Sequence, residues 1–145
     1  MAWNEGRQCW GDGTPIRDYE GDGLWGADPA YRWVRVMPDI FADGVWDVSG
    51  CSRACDELPI PETLVARTRA WQQWYDDEDR KIEAPAGPED STDWDIAGFG
   101  AEGLAIARAM KAALPEDWTV VYHDISRWNR AIGKKPDWEC AAEAA

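Results

Sequence analysis

The chain is poor in histidine, in phenylalanine and in positive charge. Its single histidine, His123, leaves no partner imidazole for a His-based metal site or relay. Beside Asp124 in an extended segment, its side chain points to the opposite face from that carboxylate. Fifteen Lys and Arg stand against 28 Asp and Glu, a net charge of −13. That balance opposes direct nucleic-acid binding, which needs a basic footprint. No apolar run approaches the roughly 18 residues of a membrane span. The opening Met1-Ala-Trp-Asn-Glu5 lacks the basic region and apolar core of a signal peptide, so a cytoplasmic location away from membranes is expected. H-E-x-x-H, G-x-S-x-G and a phosphate loop ending in Gly-Lys-Ser/Thr are all missing. No catalytic residue, cofactor or metal ligand is therefore assigned. Cys9, Cys51, Cys55 and Cys140 do not pair into zinc-ligand spacing: Cys51 and Cys55 are one loose pair with no second pair after them. Free or buried thiols are expected.

What the chain has in excess is acid and tryptophan. A length of 145 residues with 45% apolar content suits one folded domain with a core of its own. Eleven tryptophans are more than so small a core should hold, so some are expected at the surface, where Trp often anchors interfaces.

The most regular stretch runs from Asp93 to Asp124. Ile96, Phe99, Gly103, Ile106 or Ala107, Met110 and Leu114 recur at helical spacing, behind the N-cap candidates Ser91, Thr92, Asp93 and Asp95. Pro115 ends this helix, and Trp118–Asp124 turns to β-branched and aromatic residues. An earlier helix begins near Pro61 with the stripe Leu64, Thr68, Trp71 and Tyr75, widened by Val65 and Trp74. Asp76-Asp-Glu-Asp79 at its end opposes the macrodipole, so the helix should fray there. Tyr31–Met37 and Val45–Val48 read as strands around the turn signal Asp43-Gly44. The expected fold is α+β, in the order strand, strand, helix, helix, strand. A small antiparallel sheet of about three strands packs both helices on one face, with Trp118–Asp124 paired antiparallel to Tyr31–Met37. Residues 1–30, rich in Gly, Asp and Trp, form an irregular arm with room for a short hairpin. Residues 31–124 form the domain, and residues 125–145 a helical turn and tail.

Gly98-Phe-Gly-Ala-Glu-Gly103 matches G-x-G-x-x-G, and Asp124 follows at about the distance of a ribose-binding acid. The dinucleotide fingerprint needs a buried parallel strand before its first glycine. Asp93-Trp-Asp-Ile-Ala97 stands there instead, and too few residues follow for the rest of such a sheet. The glycines are read as close helix packing, with no bound phosphate expected.

The acidic residues concentrate in one place. From Asp76 to Asp95 nine carboxylates face only Arg80 and Lys81, a net of −7. The candidate partner-binding set is Asp76, Asp77, Glu78, Asp79, Glu89, Asp90 and Asp93, with Trp74 and Trp94 as apolar anchors. Its chemistry suits a basic protein. Leu58–Asp76, Phe99–Arg108 and Leu114–Tyr122 together resemble a group of small acidic bacterial proteins similar in style to immunity proteins of polymorphic toxin systems. The likeness covers about residues 31–124 and carries no catalytic residue over. It implies a non-enzymatic inhibitor of a basic, nucleic-acid-processing toxin. A phage-encoded inhibitor of CRISPR or restriction complexes acting as an acidic DNA mimic is the alternative, and a small nucleotide-binding enzyme using Gly98–Gly103 a further one.

Overall fold

The computed structural model describes residues 25–82, 87–88, 91 and 93–125, together with three two-residue strands nearer the termini. The terminal strands are β1 (Trp3–Asn4) and β2 (Cys9–Trp10), paired antiparallel as a hairpin, and β7 (Cys140–Ala141). Between them lie β3 (Trp33–Val36), β4 (Val45–Trp46), β5 (Ser52–Arg53), α1 (Glu62–Lys81), α2 (Ile96–Ala113) and β6 (Thr119–Tyr122). Most of the expected N-terminal arm and of the expected C-terminal turn and tail fall outside the described residues.

The fold is α+β. Five strands form one sheet in the order β5-β4-β3-β6-β7. The sheet is mixed, which corrects the antiparallel expectation. β6 runs parallel to β3, with Val34 opposite Val120 and Val36 opposite Tyr122. The β3–β4, β4–β5 and β6–β7 pairs are antiparallel. Alternating residues say which face of a strand is buried but carry no strand direction. Direction here is set by the connection: α1 and α2 intervene between β3 and β6 and return the chain to its starting end.

Both helices pack on the same sheet face, as expected, each by its single apolar stripe. Val34, Val36, Val45, Val120 and Tyr122 share one core with Leu64, Trp71, Phe99, Ile106 and Met110. The opposite face holds Trp33, Val48 and Val121 as a second buried cluster, with the Arg35 guanidinium 5.4 Å from the Trp33 ring.

α2 begins where its cap chemistry places it. The Asp95 carboxylate accepts from Gly98 N at 2.9 Å, and Pro115 follows the last turn. α1 does not fray at its acidic run. It continues to Lys81, because Arg80 pairs with Asp77 and Lys81 with Glu78 one turn back. Two cations in the last turn offset the carboxylates against the helix dipole.

Of the eleven tryptophans, the side chains of Trp3, Trp10, Trp128 and Trp138 lie outside the described residues, and seven are described. Trp25, Trp33, Trp46, Trp71 and Trp118 are buried, and Trp74 and Trp94 are half-buried. None of these seven is exposed. The exposed large apolar side chains among the described residues are Ile40 and Phe41.

Candidate functional site

The glycine-rich start of α2 is a packing joint. The Trp71 indole of α1 donates to the Phe99 carbonyl at 2.9 Å, and the Tyr122 hydroxyl of β6 donates to the Gly100 carbonyl at 2.7 Å. Both bonds are buried. A Cβ on Gly103 would run into Tyr122 Oη and lie 2.6 Å from Trp71 Cζ2. Glycine is required there because two aromatic rings occupy the space a side chain would take. Gly103 is thus accounted for by contact between helix backbone and aromatic edges, and a Cβ on Gly98 would meet the Asp95 cap instead.

Around this joint the aromatic residues form a cluster. Trp71 stacks on Phe99 with ring centres 4.7 Å apart. Trp74 and Trp94 meet edge-on at 6.0 Å, and both contact Phe99, at 5.2 and 5.1 Å. Trp94 also donates to the Pro88 carbonyl at 2.9 Å, which fixes the segment leading into α2. The two candidate anchors are therefore brought together, each with part of its surface spent on the core.

The acidic candidates divide by what holds them. Asp77 and Glu78 are paired within α1 to Arg80 and Lys81. Asp76 accepts from Gln72 Nε2 and from the backbone N–H of Phe41, both at 3.1 Å. Asp79 makes no ion pair among the described residues. Asp93 is exposed, and its N–H donates to the Ser91 hydroxyl at 3.2 Å. Glu89 and Asp90 lie outside the described residues.

Sequence reasoning marked the connection between β3 and β4 at Asp43-Gly44 and missed the turn within it at residues 39–42. Asp39 and Ala42 close it by Ala42 N–H to Asp39 C=O at 3.0 Å. Gln72, almost fully buried, clamps it from α1, donating to the Asp39 carbonyl at 2.7 Å and accepting from Asp39 N–H at 3.3 Å. Phe41 sits at its tip with φ +59° and 88% of its surface exposed. The signal available in the sequence was Ile40-Phe41 between Asp39 and Asp43, two large apolar residues in a polar turn. On the other flank of this turn Asp43 bonds Arg69, accepts from Cys55 N–H, and keeps the Arg69 guanidinium firmly charged.

Among the described residues no group of His, Cys, Asp and Glu is arranged to hold a metal ion. Cys51 is an exposed thiol and Cys55 a buried one. No described helix is long and apolar enough to cross a membrane.

The described candidates are thus carboxylates on the second half of α1 and at Asp93, with Trp74 and Trp94 in contact beside Phe99. Residues 32–125 match the family described as Serratia CdiI immunity protein-like, and the chain belongs to that family. The match covers β3 to β6 and both helices. No curated protein gives a match to the chain.

Proposed function

We propose that this protein is a toxin immunity protein that binds its cognate toxin stoichiometrically and blocks it without catalysis, and that the toxin surface it covers is basic. Family membership supports the immunity role. The charge distribution supports the basic partner: a net −13 over the chain, with Asp76, Asp79 and Asp93 free of ion pairs among the described residues. Trp74 and Trp94, close in the chain to Asp76 and Asp93, are half-buried and still offer part of their rings. Carboxylates speed encounter with a Lys- and Arg-rich surface, and large aromatic edges supply contact area once docked. A toxin acting on nucleic acid would carry such a basic surface. Acidic side chains placed over it would occupy the positions that phosphates take.

The test is co-expression with the toxin whose gene neighbours that of this protein. Growth should be restored, and the two chains should co-purify in equal amounts. Asp77→Lys, Asp79→Lys and Asp93→Lys together should lower the association rate at least tenfold and flatten its salt dependence, since exposed charges are screened beyond about 8 Å at physiological ionic strength. Asp76 is left unchanged because its carboxylate supports the Phe41 turn. Unaltered association with a fold intact by circular dichroism would remove the acidic surface from the interface. Absence of any binding would remove the immunity reading.

A further inference from the structure

We infer that Phe41 is the apolar anchor of the toxin interface, inserting into a hydrophobic socket rimmed by Lys or Arg side chains. The inference rests on the immunity reading and names the contact that reading leaves open.

A large aromatic side chain in water forgoes the burial that normally stabilises it. Phe41 does so at 88% exposure, with Ile40 beside it at 46%. Its backbone makes the arrangement less favourable still. At φ +59° it occupies the third position of a turn where glycine or asparagine is the usual residue. Neither feature serves the core, which is filled by other aromatics. Such strain persists only when the surroundings over-determine it. Here they do: Gln72 grips both backbone groups of Asp39, the Asp39 carboxylate accepts from Ile40 N–H at 2.8 Å, and Asp76 accepts from Phe41 N–H at 3.1 Å. The ring is held out on a braced turn, so little conformational entropy would be lost when it docks.

The charge around it identifies the occupant. Asp39 and Asp76 flank the tip, and Asp79 lies one turn further along the same face of α1 as Gln72 and Asp76. None of the three has a cation partner among the described residues, whereas Asp43, Asp77 and Glu78 each have one. An apolar tip flanked by the uncompensated carboxylates Asp39 and Asp76, with Asp79 one turn beyond on α1, complements an apolar socket rimmed by cations. An arginine on that rim would also meet the Phe41 ring face favourably. A second copy of this acidic chain would meet the same carboxylates and be repelled.

The experiment uses the full chain and the purified toxin encoded beside it. Affinity and association rate are measured for Phe41→Ala, Phe41→Gly and the pair Asp39→Asn with Asp79→Asn. Both Phe41 variants should weaken binding about 30-fold or more, as expected for a central anchor. Phe41→Gly should at the same time raise the melting temperature, because glycine relieves the positive φ. A merely structural role would move stability and affinity in the same direction. The Asn pair should slow association severalfold and reduce its salt dependence. Wild-type affinity in both Phe41 variants would overturn the inference and leave the immunity reading standing. A dimer in sedimentation that Phe41→Ala converts to monomer would overturn it in favour of self-association. Failure of the unaltered chain to bind that toxin would remove both.

Discussion

Trp71 and Phe99 are joined twice: their rings stack at 4.7 Å, and the Trp71 indole N–H donates to the Phe99 carbonyl at 2.9 Å. One contact buries apolar area, and the other satisfies the single polar atom of the largest side chain in the core. The pair locks α1 against the first turn of α2 and so sets the position of Gln72 and Asp76 on the outer part of α1.

The glycines of α2 should respond differently to alanine. Gly103→Ala must displace Trp71 or Tyr122 and should cost about 1–3 kcal/mol, as overpacking does. Gly98→Ala would crowd the Asp95 cap, with its Cβ 2.7 Å from Asp95 Cγ. A weakened cap costs roughly 0.5–2 kcal/mol, while the better helix former returns up to about 1, so the net change should stay within about 1 kcal/mol of zero. Urea denaturation of the two variants checks both values.

Asp47 should be among the most sensitive positions of the sheet. Its buried carboxylate accepts from the Ser49 N–H and hydroxyl and from Cys51 N–H, and pairs with Arg53 at 3.2 Å. Asp47→Ala leaves these donors without their acceptor and Arg53 without this partner. A loss of about 3 kcal/mol is expected from breaking a buried pair, with the β4–β5 amides losing hydrogen-exchange protection first.

The pH profile of stability should be limited at both ends by identifiable groups. On the alkaline side, burial pushes the Cys55 thiol up to about 11 from an ordinary value of 9.0. Between those values the unfolded chain releases a proton that the folded chain keeps. Stability is therefore intact below about pH 9 and falls as pH rises towards 11, by up to about 1.4 kcal/mol per unit. Cys55→Ala should flatten that limb. On the acid side, hydrogen bonding to Arg67 holds the Glu102 carboxyl below its ordinary value. Its contribution is present above that ordinary value and lost as pH falls through the lowered one. Because both side chains are more than a third exposed or close to it, the contribution should stay under about 1 kcal/mol and shrink in salt. Thermal melts of wild type, Cys55→Ala and Glu102→Gln across pH give both limbs.

Local chemistry was enough to read the elements. The caps and apolar period of Ile96–Ala113, the stripe Leu64–Trp71–Tyr75, and the β-branched runs around Val34 and Val120 each act within a few residues, so the chain itself determines them. One apolar stripe per helix also showed that each helix lies on the sheet by a single side, while the sheet face it takes was left to the tertiary structure. Tertiary structure alone decided that β6 runs parallel to β3, since a period of two is the same read in either direction. It decided that Gly103 faces two aromatic rings from other elements. And it decided that, among the described residues, the exposed aromatic is Phe41 and not a tryptophan, because exposure depends on which surfaces remain after Trp25, Trp71 and Trp118 have filled the core, and composition holds no record of that.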